Sequence, residues 1–220
     1  METIAFPLYL SLKVAALATF VALLIGIVCA WMFVQWQNRW TKILSLITVI
    51  PLVLPPTVLG YYLLLVIGRD GLVGRIIEHW TGSPIVFTWK AAVIAAAIAS
   101  LPLIIRPIQT AFESIEHEIL KAAQLDGANR WQVFRYIMLP LGYRGVLAGL
   151  VLGFARAMGE FGATLMVAGN IPGQTQTLAI AIYDAVQANR MTEAHLMAVV
   201  LSGTTLLLLF IVTQVVKQNV

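Results

Sequence analysis

The sequence predicts an all-α, polytopic membrane protein built as a single domain over residues 1–220. Three observations predict it. Of 220 residues, 60% are apolar and only 11% carry a full charge, less than half the roughly 25% usual for a water-soluble domain. The mean hydropathy is +0.89. Charge-free runs long enough to cross a bilayer recur along the chain, among them 14–38, 43–68 and 194–216. So apolar a chain has too little polar surface to stay soluble, which excludes a soluble enzyme, a disordered regulator and a secreted module.

A helix needs about 20 apolar residues to cross the ~30 Å hydrocarbon layer. Residues 14–34 are the first run to supply them. The N-terminus lacks a basic n-region and a small-residue cleavage pattern, so this run is expected to be retained as a span. Residues 43–67 form the second span. Pro51, Pro55 and Pro56 punctuate it, as a packing kink or as the break of a discontinuous helix lining a polar path. The third is centred on 91–105 and extended by Ile85, Val86, Phe87 and Trp89, with Lys90 at a snorkelling position and Pro102 near the end.

The fourth span comes from 141–168, which contains Arg144, Arg156 and Glu160. Within it Gly145, Gly149, Gly153 and Ala157 recur at spacing four. Such a ridge of small residues lets two helix backbones approach closely. Residues 161–183 carry no charge, but turn formers and amides at 169–177 interrupt them. The expectation there is a broken or re-entrant segment followed by a short helix at about 178–188. Residues 194–216 make the last span, giving five, or six if 161–188 crosses. The chain ends soon afterwards at Val220, so no regulatory domain is expected.

Lys and Arg set the orientation. Arg39 and Lys42, the five basic residues of 106–144, and Lys217 fall on one side of a five-span protein. Lys13, Arg69, Arg75, Lys90 and Arg190 fall on the other. The bias predicts an N-terminus outside and a C-terminus in the cytoplasm. The net charge of +4 is thus read as membrane orientation and not as attraction for nucleic acid. Cys29 is the only cysteine, and His79, His117 and His195 lie far apart. No disulfide framework, metal site or other cofactor is expected.

The polar segment 106–140 is the most informative. Residues 111–124 read as a helix exposing Glu113, Glu116, Glu118 and Lys121. Gly127 breaks it, and Asn129 caps a short helix that starts at Arg130 and must end before Pro140. Trp131, Phe134, Ile137 and Met138 share one face of that helix. An amphipathic helix of this size can lie on lipid or dock into a partner's groove, and the pattern alone leaves both open.

Ala122, Ala123, Gly127, Ile137, Leu139 and Pro140 stand in the pattern AlaAla-x3-Gly-x9-Ile-x-LeuPro. This resembles the EAA loop of ABC importer permeases, the segment that engages their ATPase. The resemblance implies that these residues, with Arg130, Trp131 and Phe134, form the ATPase-coupling site. Where that family usually has Glu, this chain has Lys121, with Glu118 one turn earlier. ArgAlaMetGlyGluPheGlyAla (156–163), GlyAsnIleProGlyGlnThrGlnThr (169–177) and ValIleProLeuValLeuProProThrValLeuGly (49–60) are similar to molybdate importer permeases. Tungstate is a close alternative cargo, and sulfate or thiosulfate permeases share part of the pattern.

The resemblance implies an inner-membrane homodimer with its pathway on the two-fold axis, two ATPase subunits and an extracytoplasmic oxyanion-binding protein. The chain has no GxxxxGK[ST], so it is expected to be a transport subunit and not the enzyme that hydrolyses ATP. Arg156 and Glu160 are four apart and can pair on a helix, either as a structural clamp or in contact with a passing anion. Together with Gly159, Phe161, Gly162, Asn170, Thr175 and Thr177 they are the candidate pathway or gate residues, the turn at 169–177 having an ordinary hydrated loop as its alternative. An ion-coupled transporter would leave 106–140 unexplained. An intramembrane enzyme would need partners that Glu160 and His195 lack.

Overall fold

The computed structural model describes residues 2–36 and 38–218. Met1, Asn219, Val220 and the side chain of Lys217, which bear on the expected orientation, lie outside the described residues. The described chain is helical: α1 (Glu2–Gln35), α2 (Arg39–Ile47), α3 (Ile50–Val53), α4 (Pro56–Ile67), α5 (Leu72–Thr81), α6 (Trp89–Glu113) and α7 (His117–Leu125). There follow α8 (Arg130–Val133), a π-helical turn (Phe134–Met138), α9 (Leu139–Leu141), α10 (Tyr143–Met158), α11 (Gly162–Ala168), α12 (Leu178–Gln187) and α13 (Met191–Gln218).

Among the described residues three helices, α1, α6 and α13, are long and apolar enough to cross a membrane alone, and counting each of two bent pairs as one span gives five. α1 and α6 run parallel, Lys13 lying over Trp89 and Gly26 against Ile104 and Ile105. Their seam is lined by buried alanines, including Ala15, Ala18 and Ala22 on α1 and Ala92, Ala95 and Ala99 on α6. Small side chains there let the backbones close up. α10 runs antiparallel along α6, Gly145 facing Pro107 and Gly149 and Gly153 facing Ile104. The glycine ridge read from the sequence is therefore the surface that packs on α6, with the Cβ of a residue at 149 only 2.8 Å from the Ile104 carbonyl oxygen.

Several boundaries differ from the expectation. α1 begins well before residue 14 and carries Lys13 within it. The third span does not end near Pro102: α6 continues through Pro102 and Pro107 to Glu113. Its buried Ile104, Ile105, Ile108 and Phe112 hold that turn against the bundle, and such packing outweighs the local penalty of a proline. The helix expected over 111–124 is consequently two pieces, the end of α6 and then α7, separated at Ser114–Glu116. The second span is not one helix, because α2–α3 and α4 meet at 119° across Leu54 and Pro55. That is a discontinuous helix and not a kink. Within 161–188 the two helices have 7 and 10 residues, about 10 and 15 Å at 1.5 Å per residue, so neither crosses by itself.

Candidate functional site

The first candidate region is the end of the bundle formed by α7 to α9. α7 terminates at Gly127, whose φ of +92° favours glycine, and the Ala128 N–H donates to the Ala123 carbonyl across the turn at 3.0 Å. Asn129 then caps α8 reciprocally with Gln132: the Gln132 N–H donates to Asn129 Oδ1 at 2.9 Å and the Asn129 N–H to Gln132 Oε1 at 2.8 Å. This is the N-terminal cap expected from the sequence. The helix does not stop before Pro140, however. It widens into the π turn, where the Leu139 N–H bonds to the Phe134 carbonyl, and continues to Leu141. A widened turn relieves the clash a proline ring makes with the carbonyl four residues earlier.

Packing divides the predicted coupling residues into two groups. Phe134 is 5% exposed and Val133 and Met138 are buried. Phe134 sits among Trp31 at 4.8 Å, Trp131 at 5.2 Å and Phe112 at 6.2 Å between ring centroids. It therefore anchors the segment to the ends of α1 and α6. Ala123, Ile137 and Leu139 are partly buried. Ala122, Gly127, Arg130, Pro140 and Trp131, the last 55% exposed, face outward. Leu125, 88% exposed beside Gly127, joins them without belonging to the sequence pattern. Its signal is an apolar residue between Gln124 and Asp126 at the end of a polar helix.

The second region is where the discontinuous second span meets the broken segment 161–188. α4 packs on α11: a Cβ on Gly60 would lie 2.9 Å from Ala163 Cα, and one on Gly162 would lie 2.8 Å from Pro56 Cβ. The break at Gly159–Phe161 is closed by Glu160, which is 2% exposed. Its Oε1 accepts the Ala163 N–H at 2.9 Å, capping the start of α11. Arg156 Nη1, at the end of α10, lies 2.6 Å from Oε2 as an ion pair whose angles fall short of a hydrogen bond. Glu160 thus ties the end of α10 to the start of α11. Gly159 is exposed, a Cβ there meeting only the Ala155 and Arg156 carbonyl oxygens at 3.8 and 4.0 Å, and the Phe161 ring packs tilted against Tyr183 of α12, 5.1 Å between centroids.

The turn at 169–177 bonds mainly to itself. Thr175 is 1% exposed, its hydroxyl accepting the Ile171 N–H at 3.1 Å and donating to the Gly169 carbonyl at 3.4 Å. Thr177 is buried, and the adjoining Leu178 N–H donates to Ser11 Oγ at 2.8 Å. Asn170 is exposed and joins Gln176 and Asp184. Arg190 adds ion pairs to Asp184 at 2.9 Å and Glu193 at 2.8 Å.

Parallel and antiparallel long helices, a discontinuous span packed on α11 at glycines and a short-helix segment at one end make up a polytopic membrane domain of the ABC importer permease fold. The same fold occurs in a bacterial ABC transporter involved in the import of the acidic polysaccharide alginate, at a TM-score of 0.79 and 14% identity, covering 99% of this chain and 80% of that one. The chain belongs to the family of binding-protein-dependent transport system inner membrane components, whose profile matches residues 22–220. It is 42% identical over 203 residues to the molybdenum transport system permease protein ModB of Haemophilus influenzae, covering 90% of this chain and 89% of that protein. To the protein of the same name from Escherichia coli K12 it is 44% identical over 178 residues, covering 81% and 78%.

Proposed function

We propose that the chain is the permease of an ATP-driven molybdate importer, with tungstate as a cargo of the same chemistry. The observation that carries this is the 42% identity with a molybdenum permease over 90% of the chain, which includes both broken-span motifs. In this reading two copies enclose the pathway on a two-fold axis, two ATPase subunits dock on α7–α9, and an extracytoplasmic oxyanion-binding protein delivers the cargo. The N-terminus lies outside and the C-terminus inside, in accord with the basic loops.

The packing supports a route for coupling. Trp131, Leu125 and Arg130 meet the ATPase, while Phe134 carries displacement into α1 and α6 through Trp31 and Phe112. The helical run 130–141 meets α10 at 70°, so tilting it also tilts the span that ends in the Arg156–Glu160 clamp. The candidate pathway residues around 156–162 then move with the lever. Arg156, partly exposed beside Gly159, is the group that a passing anion would meet, and holding it in an ion pair keeps the site weak enough for release.

The test is uptake in a host lacking its own high-affinity molybdate importer, supplied with this chain and its partner subunits. Cellular molybdenum, read by elemental mass spectrometry, is expected to recover, and Trp131→Asp is expected to abolish the recovery together with ATPase copurification. Restored sulfate uptake without molybdate uptake would overturn the cargo. Flux in liposomes from this chain alone would overturn the ATP-driven class.

A further inference from the structure

A cavity of about 560 Å³ opens at the end of the bundle opposite α7–α9, between the first turns of α1, the end of α5, the start of α6 and the turn at 173–175. Two cations border it. Lys13, half-buried on α1, holds its Nζ 3.9 Å from the centroid of the Trp89 ring, and Lys90 follows on α6. Among the described residues no carboxylate lines the cavity, and neither lysine has an acidic partner within 4.0 Å. Two uncompensated positive charges facing one space favour an anion there.

The backbone adds to this field. Thr88, just before α6, turns its hydroxyl to the Ile85 carbonyl at 2.6 Å, so no side chain caps the helix. The first-turn amides of Trp89 and Lys90 have no intrahelical partner, and the positive end of a 25-residue helix lies at the cavity. The loop bordering it is held in an unusual shape. Phe87 has φ +58° and is pinned by its N–H to the Val167 carbonyl at 2.8 Å. Positive φ at a bulky non-glycine residue persists only where its surroundings impose it.

Depth and lining indicate what the anion is attached to. α1 has 34 residues, about 51 Å of helix, so its first turns project beyond the hydrocarbon layer and Lys13 sits near the boundary. Tryptophan and lysine concentrate at that level. Besides its cations the cavity presents Phe6, Tyr9, Leu10 and Trp89, an apolar wall suited to an amphiphile. We propose that this cavity is a phosphate-type oxyanion site, occupied by the headgroup of an anionic phospholipid in the leaflet at that end of the bundle. The site adjoins the turn at 169–177, Thr175 included, and its assignment does not rest on which oxyanion the permease transports.

The experiment is native mass spectrometry of the full chain in detergent, titrated with phosphatidylglycerol and, separately, phosphatidylcholine. Phosphatidylglycerol is expected to bind more tightly. Lys13→Gln with Lys90→Gln should weaken it by about twenty-five-fold, as roughly fivefold for each lysine near a membrane surface. Lys13→Arg with Lys90→Arg should retain binding, as should Arg39→Gln with Lys42→Gln, which removes equal charge elsewhere. If the double glutamine variant does not fold, the exposed Lys90→Gln alone carries the comparison, with about a fivefold loss. Unchanged affinity in the glutamine variants, or equal affinity for both lipids, would overturn the site. Displacement of phosphatidylglycerol by millimolar phosphate or molybdate would keep the oxyanion site but assign it to the free ion.

Discussion

Glu160 does two jobs with its two oxygens, one capping α11 through the Ala163 N–H and the other facing Arg156. Removing the side chain leaves a buried amide unpaired and a guanidinium without its counter-charge. Each such loss costs on the order of 1–3 kcal/mol, so Glu160→Ala is expected to lower thermal stability in detergent clearly. Glu160→Gln keeps an acceptor for Ala163 and should lose less. The double variant Arg156→Leu with Glu160→Leu should be more stable than Glu160→Leu alone, because it leaves no unpaired charge. If Glu160→Ala melts like the unaltered protein while uptake disappears, the carboxylate acts on the cargo and not as a clamp.

The helices illustrate which contacts sequence spacing can reveal. The ridge of Gly145, Gly149 and Gly153 was legible because a helix repeats its faces every three to four residues, and the structure lays that ridge on α6. The Asn129 cap was legible for a similar reason, its partner Gln132 lying three residues on. The passage of α6 through Pro107 was not legible, since burial of Ile108 and Phe112 by distant helices decides it. Nor was the anchoring role of Phe134, whose partners Trp31 and Phe112 come from remote segments. The π turn before Pro140 leaves no local pattern that marks it in advance. The ridge can be tested against an exposed glycine of another helix. Gly149→Val would drive a side chain against the Ile104 backbone, which cannot swing away, and should prevent recovery of a monodisperse protein by size-exclusion chromatography. Gly203 in α13 has open space, with nothing within 4 Å of where a Cβ would stand, so Gly203→Ala should leave stability unchanged or raise it by up to about 1 kcal/mol. Equal behaviour of the two variants would remove the ridge as the α6–α10 contact.

For the whole molecule, the polar residues divide between two ends that the parallel α1 and α6 keep apart. One end holds α7 to α9 with Glu116, Glu118, Lys121, Asp126, Arg130 and Arg135 on its surface. The other holds Lys13, Lys90 and the turn at 169–177. In the orientation proposed above, with the Lys- and Arg-rich loops cytoplasmic, the first end lies inside the cell, within reach of an ATPase, and Asn170 lies outside. Single cysteines can test this after Cys29, the only native thiol, is replaced by Ala. Leu125→Cys and Asn170→Cys both lie at exposed positions, so each can react with a membrane-impermeant maleimide from one side only. Leu125→Cys is expected to label in inverted vesicles but not in intact spheroplasts, and Asn170→Cys the reverse. Labelling of Leu125→Cys from outside would invert the molecule and remove the cytoplasmic docking of α7–α9. Labelling of both from one side would mean that the broken spans do not carry the chain across as the five-span topology requires.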